Sequence, residues 1–131
     1  MANKFKLSMV AADGKKIVDE VEILNVVTSS GALGIMAHHL PLIAVIEISH
    51  LNYKKDGQTF EFSIGGGVLS VSNEEVSILA DSFETKDEID FERAEKAKLR
   101  AEERLKSKEL NIDIKKAEIS LKRALNRLSM R

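Results

Sequence analysis

Apolar and polar side chains alternate at the start of the chain, with Phe5, Leu7 and Met9 set against Lys4, Lys6 and Ser8, and this period of two predicts a half-buried strand. Ala12-Asp13-Gly14-Lys15 supplies a turn. Val21, Ile23, Val26 and Val27 read as one further strand, and Leu42 to Ile48 as another. Tyr53 to Ile64 is predicted to fold about Lys55-Asp56-Gly57-Gln58, because Asp-Gly accepts the positive φ angles of a two-residue hairpin turn. Val68, Leu69 and Val71 then turn at Ser72-Asn73-Glu74-Glu75 into Val76, Ile78 and Leu79. Many short strands with no helical pattern between them predict an antiparallel sandwich or barrel.

Near residue 86 the period changes. Ala94, Ala97, Ala101 and Leu105 step by 3, 4 and 4, while Ile114, Ala117, Leu121, Ala124 and Leu128 step by 3, 4, 3 and 4. Each series is a narrow apolar stripe on a helix. The segment Lys106 to Asn111 is short enough to make the two helices antiparallel neighbours. The predicted fold is therefore α+β: an antiparallel β-sandwich over 1–86, then an antiparallel two-helix hairpin over 87–131. The two helices repeat one another at an offset of 23 residues, with eight of seventeen aligned positions identical between 89–105 and 112–128. In each unit an Asp follows Ile where the helix should start, so Asp90 and Asp113 are the predicted N-caps, with Asp87 competing for the first.

Composition sharpens this division. All seven glycines, the single proline and the three histidines precede residue 86, and the tail holds none. Residues 1–86 carry 7 basic and 11 acidic groups, and 87–131 carry 13 and 10, so a net charge of -1 conceals an acidic front and a basic tail. At 131 residues the chain fits one domain or one small domain with an appendage, which excludes a large multidomain enzyme. There is no cysteine, hence no thiol nucleophile or thiolate metal site, and no apolar run of bilayer-spanning length. The first residues lack the apolar core of a signal peptide, giving the expectation of a cytoplasmic protein.

The candidate chemistry lies in the tail. The alanine-rich seam buries little apolar area, at ~25 cal/mol per Å², so the hairpin should be marginally stable and a candidate switch. Antiparallel pairing brings Asp90 and Arg93 toward Arg123 and Arg127. This is either a solvated charged face or an anion site, since clustered guanidinium groups repel unless a phosphate neutralises them. Elsewhere the signals are bland. Gly65-Gly66-Gly67 is followed by a strand and no Gly-Lys-Ser/Thr, so close backbone packing explains it better than phosphate binding. His38, His39 and His50 lack carboxylates at ligand spacing, no Ser/His/Asp set assembles, and the expected metal and catalytic complement is none. Nucleic-acid binding is not expected of a tail with ten interleaved acids and one aromatic side chain.

Ser30-Gly31-Ala32-Leu33-Gly34-Ile35, His39-Leu40-Pro41-Leu42, Gly65 to Val71 and Val76 to Asp81, followed by Ile89-Asp90-x-x-Arg93-Ala94, together resemble the epsilon subunit family of bacterial F-type ATP synthases over essentially the whole chain. The resemblance implies a non-catalytic central-stalk subunit on the cytoplasmic face of the cell membrane, peripheral and attached only through the complex. Its implied partners are the gamma subunit and the c-ring through the sandwich, and the alpha and beta subunits through the hairpin. In such proteins the hairpin either folds down on the sandwich or extends along gamma and restrains ATP hydrolysis. The resemblance implies no obligatory cofactor, with ATP as a regulatory ligand in some members. Carried over by position, the ATP-binding residues are Glu84, Ile89, Asp90, Arg93, Ala94, Arg100, Lys116, Arg123 and Arg127. The rotor-docking loops are Gly31, Ala32, Leu33, Gly34, Ile35, His38, His39 and Pro41. The alternative within the family is a purely structural coupler without nucleotide binding.

Overall fold

The computed structural model describes residues 3–107 and 113–131, so the predicted bend and the first two residues lie outside the described part. Two compact units follow the chain, Met1–Thr85 and Lys86–Arg131.

The first unit is built from β1 (Phe5–Ala11), β2 (Lys16–Val21), β3 (Ile23–Thr28), β4 (Gly31–Met36), β5 (Leu42–Lys55), β6 (Gln58–Val71), β7 (Val76–Ala80) and β8 (Phe83–Glu84). One hydrogen-bonded path runs β2-β1-β7-β6-β5-β3-β4, with β8 on the free edge of β6. The path becomes a sandwich because its two longest strands change layers. In β5 the inward positions are Leu42, Ala44 and Ile46, then Leu51 and Tyr53; in β6 they are Phe60, Phe62 and Ile64, then Leu69 and Val71. Both strands switch parity at paired levels, near 47–50 and 65–67, and a strand that bends there carries its apolar side into the second layer. The glycines permit the crossing. A Cβ on Gly67 would stand 2.3 Å from the Leu79 carbonyl oxygen, and one on Gly65 would meet the Ser82 hydroxyl at 2.6 Å. Inside, Leu7, Met9, Val21, Leu24, Ile35, Leu51, Ile64, Leu69 and Ile78 are wholly removed from solvent.

The β5–β6 hairpin forms as the Asp-Gly signal predicts, with φ of 50° at Asp56 and 79° at Gly57. Lys4 Nζ donates to Asp56 Oδ1 at 2.8 Å and holds that carboxyl below its ordinary value. Four local expectations are corrected. Val21 and Ile23 belong to separate strands, because Val21 and Leu24 are both buried and a straight strand would place residues three apart on opposite faces. Gly31 to Ile35 form a strand, β4, and not a loop; Thr28 Oγ1 donates to the Gly31 carbonyl at 2.8 Å and closes the turn into it. The two-residue β8 was not expected. The sheet is antiparallel except where β1 runs parallel to β7, two strands too distant in sequence for a hairpin to dictate their direction.

The second unit holds a 3-10 turn at Lys86–Glu88, then α1 (Phe91–Lys106) and α2 (Ile114–Leu128). Asp90 and Asp113 are the N-caps, accepting from the backbone N–H of Arg93 and Lys116 at 3.0 Å each, while Asp87 lies in the 3-10 turn. Ala94, Ala101, Ala117 and Ala124 are buried, and Leu105, Leu121 and Leu128 are half-buried along the same stripes. Ile114 departs from its stripe and is 60% exposed: it opens α2 and lies about 60° around the helix from Ala117. The Arg131 guanidinium lies 5.2 Å from the centroid of the Phe91 ring, which brings the end of α2 beside the start of α1 and makes the pair antiparallel.

Candidate functional site

A basic residue immediately precedes each buried alanine of the hairpin: Arg93 before Ala94, Arg100 before Ala101, Lys116 before Ala117 and Arg123 before Ala124. One residue back is a rotation of about 100° on a right-handed helix. In an antiparallel pair facing each other through their alanines, the flanks reached by that rotation fall on the same side of the seam. The repeat therefore does more than duplicate a helix. Its 23-residue offset maps Arg93 onto Lys116 and Arg100 onto Arg123, and its pseudo-twofold gathers all four on one face. Arg127 stands four residues beyond Arg123 and continues the same strip.

Salt bridges within the hairpin are few among the described residues. Lys96 pairs with Glu92 at 3.5 Å and Lys98 with Glu95 at 3.7 Å, the ordinary arrangement of an exposed helix. Arg93, Arg100 and Lys116 form no salt bridge among the described residues, although the helices are rich in glutamate. An elongated row of guanidinium and ammonium groups beside the positive end of the α1 dipole suits a polyphosphate more than a single carboxylate.

The individual candidates take different positions. Asp90 is committed through one oxygen to capping α1, so its carboxylate is fixed at the helix start. Ile89 and Ala94 are buried on either side of it, and the Ala94 N–H bonds the Asp90 carbonyl at 3.0 Å. Arg93, Arg123 and Arg127 share the end of the hairpin where α1 begins and α2 ends. Arg100 stands two turns along α1, ~10 Å from Arg93 by helical rise, and Lys116 is in the first turn of α2, toward the opposite end. The carried-over set is thus a stripe, not a point. Glu84 belongs to the sandwich unit, where β8 places it opposite Ser63. Arg104 was missed. It is the repeat mate of Arg127, and the offset alone identifies it.

In the sandwich, Gly31, Ala32, Leu33, Gly34 and Ile35 form an edge strand, with Ile35 buried and the others at least partly exposed. His38, at φ 67°, and His39 line a cavity of about 340 Å³ with Met36, Leu40, Pro41 and the 72–75 turn. His39 Nδ1 lies 2.7 Å from the Leu40 carbonyl oxygen, and His50 lies 3.6 Å from Glu61, on another strand. No group of three metal-ligating side chains occurs among the described residues. The outward face carries a row that the sequence reading did not single out: Val45, Val68 and Leu79 are directly paired across β5, β6 and β7, are 57%, 43% and 63% exposed, and continue to Ile43 at 79%. A contiguous apolar row of this kind marks an interaction surface.

Comparison with known proteins follows this two-part design. Residues 4–86 match the family model of the ATP synthase delta/epsilon chain β-sandwich domain, and 87–130 that of its long α-helix domain. The chain is 43% identical over 125 residues to the ATP synthase epsilon chain of Bacillus licheniformis, covering 95% of each, and 37% identical over 128 residues to that of Desulforamulus reducens, covering 98% and 97%. It shares its fold with a chain in the cryo-EM structure of the Euglena gracilis mitochondrial ATP synthase, at a TM-score of 0.80 and 22% identity, covering 96% of this chain and 80% of that one.

Proposed function

The chain belongs to the ATP synthase delta/epsilon chain family, and from that footing we propose that it is a non-catalytic central-stalk subunit of an F-type ATP synthase whose helical hairpin restrains ATP hydrolysis and responds to ATP. The observation that carries the regulatory part is the basic face of the hairpin: Arg93, Arg100, Lys116, Arg123 and Arg127 on one side of a seam made chiefly of alanine. Such a seam supplies little burial, while the like charges beside it oppose closure. A polyphosphate bound across both helices reverses that balance. It stabilises only the closed form, by RT ln(1 + [L]/Kd), or ~2.7 kcal/mol at a hundredfold excess over Kd. When the hairpin opens, the same side chains become available to an acidic surface on the alpha and beta subunits.

The sandwich supplies the coupling part. Its apolar row of Ile43, Val45, Val68 and Leu79 suits the gamma subunit, and the β4 edge with the 36–41 loop suits the c-ring. None of the described helices is long and apolar enough to cross a membrane, which accords with a peripheral subunit held at the cytoplasmic face of the membrane by its complex. A purely structural coupler is the second reading, favoured by the position of that apolar row in the unit that lacks the basic face.

Two experiments separate these readings. In the reconstituted complex, deleting 87–131 should raise ATP hydrolysis while the rotor still assembles; unchanged hydrolysis would refute restraint by the hairpin. Titration calorimetry of the full chain with millimolar ATP should give saturable heat; a flat trace would refute the response to ATP, and together with unchanged hydrolysis on deletion would leave only the structural coupler.

A further inference from the structure

An αα-hairpin has two unlike ends. At one, the chain itself joins the helices through residues 107–113. At the other, only non-covalent contacts keep the last turn of α2 near the first turn of α1. Phe91 and Arg131 meet at that second end, the ring and the guanidinium 5.2 Å apart.

The local structure past α2 makes the meeting possible. Ser129 caps the helix in an αR conformation, its hydroxyl donating to the Asn126 carbonyl at 2.6 Å. The N–H groups of Met130 and Arg131 then donate to the carbonyls of Arg127 and Leu128 at 3.1 Å each, so the chain turns once more and does not run straight on. This turn buries Met130, which is 8% exposed, and lays Arg131 over the ring. The repeat provides an internal control. The position equivalent to Phe91 is Ile114, which has no π face and is 60% exposed. The aromatic ring occurs at the end that lacks a covalent link and is absent from the end that has one.

We infer that Phe91 and Arg131 form a clasp that closes the free end of the hairpin and so sets how readily the basic face assembles. Their role toward that face rests on the function proposed above, whereas closure itself does not. The two are positioning residues: holding the final turn of α2 against the start of α1 fixes Arg123 and Arg127 relative to Asp90 and Arg93. A cation over a half-buried aromatic ring changes an equilibrium by about two- to fivefold, enough to matter where the seam is buried alanines flanked by half-buried leucines and too little to lock it.

The chain has no cysteine, so spin labels can be attached at Leu99→Cys and Leu125→Cys, both at exposed positions, and the interhelix distance distribution of the full chain read by electron–electron resonance without nucleotide. Phe91→Leu and Arg131→Gln should each raise the open-to-closed ratio about two- to fivefold, and Arg131→Lys should retain most of the closure. Phe91→Trp should shift the ratio the other way, because indole is the stronger cation partner. Distributions unchanged by Phe91→Leu and Arg131→Gln would overturn the clasp, as would Phe91→Leu and Phe91→Trp moving the ratio in the same direction. Calorimetry with ATP on the same proteins isolates the second half of the inference. ATP affinity should track the closed fraction read from the distance distributions, falling in Phe91→Leu by the ratio of its closed fraction to that of the unsubstituted chain, and an affinity that does not follow the closed fraction across the variants would overturn the link to the basic face. If the distances respond as expected and even the unsubstituted chain binds no ATP, the clasp stands and the nucleotide reading fails.

Discussion

The sandwich and the hairpin are closed by different materials. In the sandwich, leucine, isoleucine, methionine and phenylalanine from seven strands fill a core in which nine side chains have no solvent contact at all. In the hairpin, the buried positions within the two helices are four alanines, with Ile89 and Met130 buried just outside the helix ends, and each helix directs larger residues such as Leu99, Ile114 and Leu125 outward. Burial at ~25 cal/mol per Å² makes the first unit stable in its own right, while the second is left close to balance. The difference is functional in kind. Under the function proposed above, the docking body must keep its shape under torque and the regulatory arm must be able to lose it.

That contrast can be broken most directly from the sandwich side. Leu69→Ala removes a side chain with no exposure and should cost about 2–5 kcal/mol in urea denaturation, with the helical signal lost independently of the strand signal. If both signals shift together, the two units are not energetically separate. Next in size is the Arg123→Gln, Arg127→Gln double variant. Losing charge-assisted bonds worth ~1.5–3 kcal/mol apiece should weaken ATP binding at least tenfold in calorimetry and leave the sandwich midpoint where it was. Asp90→Ala should remove ~1 kcal/mol of helix capping, seen as faster amide exchange over the first turn of α1 and unchanged protection in β5 and β6. The smallest effect belongs to Lys4 and Asp56. The folded Asp56 carboxyl titrates below 3.8, so its contribution is in place above that pH and is lost as pH falls through the lower folded value. Lys4→Gln should flatten this acid-side loss in pH-dependent unfolding of the strand signal and leave the hairpin untouched.

Much of this architecture could be read along the chain because its signals are local. Alternation placed β1 and β7, Asp-Gly placed the β5–β6 turn, and the Ile-Asp pairs placed both helix starts. What could not be read depended on partners far away in sequence. β4 is composed of Gly31, Ala32, Leu33, Gly34, Ile35 and Met36, with a single buried side chain, so no apolar period marks it. The parity switch in β5 shows only when β6 lies beside it. Within the candidate site, the common face of Arg93, Arg100, Lys116 and Arg123 follows from the repeat and helical geometry alone. The Phe91–Arg131 contact follows from neither, because Arg131 lies beyond the repeated positions and reaches the ring through a turn set by Ser129 and Met130.

The parallel pairing of β1 with β7 also orders events in time. β1 emerges before the other strands of the sandwich, and β2 can pair with it as soon as it follows; its other edge must wait until Val76 to Ala80 have emerged, some seventy residues later. Sequence-distant pairings close slowly, so the seam that joins the first strand of the sandwich to β7 forms late. The helices follow β7 in the chain, so they emerge after the strand that closes that seam. The sandwich thus has all its strands outside the ribosome before the second helix has fully emerged.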